Sequence, residues 1–176
     1  MGSNKALLEF RGRPLLARQL EILRPLFTEV VVGANDPAPY AAFGARVVPD
    51  ILPERCSLTG LHALLAAAST PHVFALACDL PFLNPDLLRY LADQREQADV
   101  VLPTTIRGPE PLHAVYARTC LPAIEDAGRR GAWKMTDFLP GLRVTRVEIR
   151  EADWLVEGRS PFTNANTPED WRAAAP

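Results

Sequence analysis

The sequence predicts one α/β domain, a mostly parallel sheet with helices on both faces, and three observations carry that prediction. Short apolar strands alternate with amphipathic helices along the chain, and Pro, Gly, Asn or Asp bounds each of them. One run, His72 to Cys78, is apolar throughout, as a strand buried on both faces of a parallel sheet must be. The 176 residues, 48% apolar and 23% charged, are enough for one core, and no repeat, linker or low-complexity tract divides them.

Taken in order, Pro14 can open a helix, and Leu15, Leu16, Leu20, Leu23 and Phe27 then recur at helical spacing. Glu29 to Gly33 reads as a short buried strand stopped by Asn35, Pro37 and Pro39. Arg46-Val47-Val48 is a second strand ending at Pro49-Asp50, followed by a polar loop to Thr59 and a buried helix from Gly60 to Ala68. After the His72 to Cys78 strand, Asn84 caps a helix that has Pro85 in its first position and is predicted to reach about Gln97. Strands are expected over Asp99 to Leu102 and Leu112 to Ala117, and helices over Leu121 to Ala127 and Trp133 to Leu139. Leu142 to Ile149 alternates like a strand with one wet face. Thr167, Pro168, Glu169 and Asp170 form a helix start, with a threonine cap and acids in the first turn.

The charge balance excludes some functions. A net charge of −2 gives no phosphate-neutralising surface for nucleic acid. Cys56, Cys78 and Cys120 are odd in number and far apart, with no CxxC pair, so neither a disulfide framework nor a zinc knuckle is expected. No apolar stretch is long enough to span a bilayer, and the start lacks the apolar core of a signal peptide. A soluble cytoplasmic protein with reduced thiols is the expectation. Of the nineteen basic residues only Lys5 and Lys134 are lysines, so each is informative, a compact ammonium among planar forks.

In open α/β sheets ligands bind beyond the carboxyl ends of the strands. Asp79 directly follows the apolar run, and Pro81 then redirects the chain. It is either a turn aspartate capping nearby amides or a hard oxygen ligand for Mg²⁺ on nucleotide phosphates. Asp50 ends its strand in the same way, and the two carboxylates could share a metal or orient a base and a sugar. Lys5, close to the first helix, is either a solvated lysine or a counter-charge for a phosphate oxygen. Capping chemistry accounts for Thr167 and Pro168 but leaves Asn164 unexplained, and Asn166 sits just before a helix N-terminus that favours anions. His62 and His72 read as structural or surface groups, His113 as a residue at the site edge, and Cys78 as a buried strand residue. No Ser-His-Asp or Cys-His arrangement is legible.

Together these residues resemble the molybdenum cofactor guanylyltransferases. The resemblance runs through Met1-Gly2-Ser3-Asn4-Lys5-Ala6-Leu7-Leu8, Gly12-Arg13-Pro14-Leu15, Val48-Pro49-Asp50 and Ser57-Leu58-Thr59-Gly60-Leu61. It continues through Ala77-Cys78-Asp79-Leu80-Pro81-Phe82, Pro111-Leu112-His113-Ala114-Val115-Tyr116 and Asn164-Ala165-Asn166-Thr167-Pro168-Glu169-Asp170, covering nearly the whole chain. It implies a Rossmann-like nucleotidyltransferase with GTP and molybdopterin as substrates and Mg²⁺ as cofactor. By the same resemblance Asp79 is the magnesium-binding aspartate and Lys5 the nucleotide-loop lysine, both catalytic. Asp50 is the nucleotide-site acid, and Asn164 and Asn166 lie on the molybdopterin side. Other cofactor-biosynthesis proteins or molybdoenzymes are the implied transient partners, with no nucleic acid and no membrane. A cytidylyltransferase for the same cofactor, another small-molecule nucleotidyltransferase and a non-catalytic nucleotide-binding relic are the alternatives.

Two departures from the family pattern carry expectations. Of the glycines in the family's Gly-rich stretch only Gly60 is kept, with Pro53-Glu54-Arg55-Cys56-Ser57 before it. The first strand and a Leu-Ala-Gly-Gly loop would precede Met1, so the domain is expected to lack both. The corresponding expectations are a vacant lane in the sheet beside the strand of Asp79, Lys5 near the site mouth, weak GTP binding by these residues, and rescue by an upstream extension.

Overall fold

The computed structural model describes residues 5–165, so Asn166 and the expected helix start at Thr167 lie outside the described residues. After a one-turn 3-10 helix, Lys5–Leu7, the elements in chain order are β1 (Glu9–Phe10), β2 (Arg13–Pro14), α1 (Leu15–Leu23), β3 (Val31–Gly33), β4 (Arg46–Val48) and α2 (Ser57–Ala67). They continue with β5 (His72–Leu76), α3 (Pro85–Ala92), β6 (Val100–Thr105), β7 (Gly108–Pro109), β8 (His113–Ala117), α4 (Leu121–Arg129) and β9 (Val144–Glu148). The described residues form two compact units, one of residues 5–30, 76–90 and 150–165, the other of residues 31–75 and 91–149.

The second unit holds most of the sheet structure. β3 and β4 pair in parallel, with Gly33 opposite Val48. A five-stranded sheet runs β5-β8-β6-β7, with β9 on the other edge of β6. β9 is parallel to β6 and β8 is antiparallel to it, so the α/β class holds with a mixed sheet. Among the described residues β5 is an end strand of its sheet, and β3 pairs with β4 alone. Leu58, Leu61 and Leu65 of α2 and Ile124 and Ala127 of α4 join Val100, Leu102, Tyr116 and Phe138 in the main core. Tyr116 is fully buried, and its hydroxyl donates to the Pro111 carbonyl at 2.7 Å, which satisfies the polar tip of an otherwise apolar body. Leu64 on another face of α2 packs on Gly33, where an added Cβ would meet it at 3.7 Å.

α1 ends at Leu23, short of Phe27, and β3 begins at Val31 rather than Glu29; three predicted elements differ more from the observed ones. Trp133 to Leu139 is a series of turns rather than a helix. The Asp137 carboxylate accepts the Lys134 backbone N–H at 2.9 Å, and Asp137 and Leu139 donate back to Lys134 and Thr136 in i to i+3 bonds. The Trp133 ring anchors the segment on Gly128 of α4, filling space that a Cβ would enter at 2.8 Å. The helix after Asn84 ends at Ala92, and Arg95–Gln97 is a separate 3-10 turn, because Asp93 to Gln97 offers no apolar stripe to bury. β5 ends at Leu76 instead of Cys78, and Cys78 is exposed in the following turn rather than buried.

The first unit is built around two tight hairpins and α1. Arg11 (φ 53°) and Gly12 (φ 75°) form the turn between β1 and β2; two successive left-handed residues match the twist of a two-residue hairpin. Glu157 and Gly158 repeat this geometry between the bridged residues Val156 and Arg159. The two tips are joined by an ion pair between Arg11 and Glu157, which holds the Arg11 guanidinium above and the Glu157 carboxyl below their ordinary pKa ranges. Phe10, Leu15, Phe82 and Ala165 form this unit's buried cluster, with Phe82 edge-on to Phe10 at 5.8 Å.

Candidate functional site

The turn from Ala77 to Leu80 carries the most informative geometry. Beyond Leu76 the chain has left its strand, so the turn carbonyls need other donors. Gln19, a polar residue on the buried face of α1, supplies two of them. Its Nε2 donates to the Ala77 carbonyl at 3.1 Å and to the Leu80 carbonyl at 3.0 Å, clamping both ends of the turn. Between them sits Asp79, half-buried, whose carbonyl accepts the backbone N–H of Ala165 at 3.0 Å. Pro81, Phe82 and Leu83 are buried directly after it and anchor the outgoing chain.

That single backbone bond joins two of the sequence-predicted site segments. Asn164 is exposed next to Ala165, which is 1% exposed, so the segment is fixed while the asparagine side chain faces solvent. The preceding chain is held by a turn in which the Thr163 N–H donates to the Ser160 carbonyl and the Phe162 N–H to Ser160 Oγ. Asn84 works nearby as a cap for α3. Its Oδ1 accepts the N–H groups of Asp86 (2.9 Å) and Leu87 (3.0 Å), and its Nδ2 donates to the Trp154 carbonyl (3.0 Å). The backbone of Lys5 opens the 3-10 turn that packs against α1, in the same unit as Asp79 and Asn164.

Asp50 belongs to the second unit, at the end of β4. Parallel pairing puts Asn35, beyond β3, level with it, and the two side chains lock the strand ends together. Asn35 Nδ2 donates to Asp50 Oδ2 at 3.0 Å, and the Asp50 N–H donates to Asn35 Oδ1 at 2.8 Å. The other carboxylate oxygen faces the first turn of α2, where a Cβ added to Gly60 would lie 3.8 Å away. Thr59 fixes that first turn, accepting from the Cys56 N–H and donating to the Cys56 carbonyl.

His113 is 1% exposed within β8, edge-on to Phe74 at 5.6 Å, and burial pushes its imidazole down to about 3. It is a core residue rather than one at the site edge. His62 is buried on α2, with Nε2 3.3 Å from the Glu125 carboxylate of α4. Burial also pushes the Cys120 thiol up to about 12, which removes it as a nucleophile.

Among the described residues no group of three or more His, Cys, Asp or Glu side chains could hold a metal alone. Mg²⁺ in nucleotide enzymes does not require such a group, since it is held by one or two carboxylates plus substrate phosphates and water. Asp79, on a clamped turn, is suited to be that carboxylate. Gln19 and Asn35 are the two supporting residues the sequence reading missed. Gln19 had a visible signal, a polar residue four positions after Leu15 in a leucine stripe. Asn35 was legible only as a strand breaker.

A nucleotidyltransferase is the class that the fold and the comparisons together define. Residues 1–144 match the family model described as "MobA-like NTP transferase domain". The chain belongs to the molybdenum cofactor guanylyltransferase family, as the set of sequence motifs implied. A protein of Pelotomaculum thermopropionicum named "Probable molybdenum cofactor guanylyltransferase" is 36% identical, covering 97% of this chain and 83% of that one. The molybdenum cofactor guanylyltransferase of Syntrophotalea carbinolica is 33% identical over 100% of this chain and 86% of its own. The crystal structure of molybdopterin-guanine dinucleotide biosynthesis protein A from Archaeoglobus fulgidus superposes with a TM-score of 0.83 at 27% identity, covering 98% and 89% of the two chains. Among the described residues no helix is long and apolar enough to cross a membrane.

Proposed function

We propose that this chain transfers GMP from GTP to molybdopterin, giving the guanine dinucleotide form of the cofactor and pyrophosphate, with Mg²⁺ held by Asp79. The observation that supports this reading most is the clamped Ala77–Leu80 turn, which fixes a carboxylate at a strand's carboxyl end and ties it to the Asn164 segment. A terminal phosphate oxygen of molybdopterin attacks the α-phosphorus of GTP, a new P–O bond forms, and the bond to the bridging oxygen of the β-phosphate breaks. Both electrons of that bond leave with pyrophosphate. Such a displacement demands alignment and charge stabilisation and no covalent enzyme intermediate. The metal, when bound, offsets the negative charge shared by the α-phosphate and the leaving pyrophosphate.

This chain's residues divide the remaining work. Asp79 holds the metal, and Gln19 holds Asp79's turn. Lys5 supplies a compact positive charge to the nucleotide phosphates, and Asp50, fixed by Asn35, serves the nucleotide. Asn164 and Asn166 receive the pterin. We assign the protein to the cytoplasm, where other cofactor-biosynthesis proteins or molybdoenzymes would meet it transiently. The test is product identification after incubation with molybdopterin, Mg²⁺ and each nucleoside triphosphate in turn. Formation of the guanine dinucleotide from GTP is expected; a cytosine dinucleotide from CTP instead would replace this reading with a cytidylyltransferase.

A further inference from the structure

Three arginines of the first unit, Arg11, Arg13 and Arg18, gather around two glutamates, Glu21 and Glu157. Arg11 is bonded to Glu157, and Arg13 makes a two-bond pair with Glu21. Arg18 is the third guanidinium in this neighbourhood, and those two carboxylates feel it only through space. It is half-buried on α1, yet it has no hydrogen bond and no ion pair among the described residues, and its Nε is fully buried without an acceptor. A buried guanidinium N–H left without an acceptor is costly, so the group favours a further acceptor within reach of its remaining nitrogens.

The side chain is nevertheless held in place. Its Cζ lies 5.2 Å from the centroid of the Phe10 ring, and the Arg11 Cζ lies at the same distance. Phe10 is 0% exposed and packs with Leu15, Phe82 and Ala165, so the stacking surface is rigid. Leu15, Arg18 and Gln19 share one face of α1 by their spacing of three and four residues. Leu15 and Ala165 belong to one buried cluster, and Gln19 clamps the Asp79 turn, to which Ala165 is bonded. Arg18 therefore directly precedes, on α1, the residue that clamps the Asp79 turn, and it stands over Phe10, whose buried cluster includes Ala165 beside Asn164. With Nε buried, the two terminal nitrogens are what the guanidinium can offer a ligand, and a planar fork suits a phosphate oxyanion.

We propose that Arg18 is a substrate-binding residue that takes the terminal phosphate monoester of the acceptor. This rests on the guanylyl-transfer reading for the acceptor's identity, while the anion site rests on geometry alone. Such a contact would hold the attacking oxygen on the Asn164 side and offset part of its charge while it waits for the nucleotide.

The test has two arms, each with the parent, R18Q and R18K. In the first, inorganic phosphate is titrated at constant ionic strength, and binding is read from the rise in melting temperature and by calorimetry. The parent should be stabilised, R18Q should lose that response while melting unliganded near the parent, and R18K, which keeps the charge but not the fork, should retain part of it. Equal phosphate responses in parent and R18Q overturn the proposal, whatever the guanylyl-transfer assay shows. The second arm measures transfer kinetics. R18Q should raise the KM for molybdopterin roughly ten- to hundredfold, the range expected for losing a hydrogen bond to a charged group, with kcat and the KM for GTP little changed. A matching rise in the KM for GTP overturns the acceptor assignment. If the parent transfers no guanylyl group but R18Q still loses phosphate binding, the reaction assignment fails and the anion site stands.

Discussion

Replacing Gln19 by Met would remove the two donors that clamp the Asp79 turn while keeping a long unbranched side chain in the same space. Gln19 is 4% exposed, and its bonds at 3.1 and 3.0 Å go to one part-buried and one buried carbonyl. An orphaned buried acceptor costs roughly 1–3 kcal/mol, and the part-buried Ala77 carbonyl can recover some of that from water, so a total loss of about 2–4 kcal/mol is expected. The volume change adds less, since Met adapts to irregular space. Urea unfolding at neutral pH should register the loss as a lower midpoint with an unchanged slope. The functional consequence should fall on kcat, because Asp79 would sit on a turn free to sample other arrangements. A variant within about 0.5 kcal/mol of the parent, the usual scatter for a neutral substitution, and with the parent's kcat would refute the idea that α1 positions this acid.

Two further perturbations probe the Asn164 segment and the buried core. Asn164→Ala should weaken molybdopterin binding in a fluorescence titration while leaving GTP binding nearly unchanged; an equal loss for GTP would place Asn164 on the nucleotide side. His113 stays neutral in the native core at about 3 but titrates near 6.5 when unfolded, so the unfolded chain takes up a proton that the native state refuses. Stability is therefore fully present above pH 6.5 and declines as pH falls below it, by about 2 kcal/mol at pH 5. His113→Phe should flatten that slope in urea melts between pH 7 and 5; an unchanged slope would assign the acid sensitivity to other groups.

Local signals decided how much could be read from the sequence. β4 was legible to the residue, and β9 within two residues at each end, because Arg46-Val47-Val48 stops at Pro49-Asp50 and the alternating Leu142 to Ile149 starts after Pro140-Gly141. α1 followed from leucine spacing after a proline. Where tertiary bonds overrode the local pattern, the reading failed. Ala77 looks like strand, yet its carbonyl is taken by Gln19 from another element, so the strand ends earlier. Trp133 to Leu139 has helical spacing, but the Asp137 side chain captures the Lys134 amide and the Trp133 ring is anchored on Gly128. Asp50 and Asp79 were singled out as acids at strand ends, and Asn164 as an asparagine that helix capping leaves unexplained. The bond between Ala165 and the Asp79 carbonyl, and the Asn35–Asp50 lock, join residues 86 and 15 positions apart, and no local pattern encodes such pairings.

Guanylyl transfer at the Asp79 turn, through a metal that Asp79 would hold, is tested most directly by the magnesium dependence of pyrophosphate release. The rate is followed with GTP and molybdopterin across a magnesium series, for the parent and for Asp79→Asn, which keeps the shape of the side chain and removes its charge. The parent should saturate with magnesium. The variant should lose most of its turnover, keep the parent's melting temperature, and recover only partly at high metal. A variant that releases pyrophosphate like the parent at limiting magnesium would contradict the claim, whatever the resemblance to known guanylyltransferases.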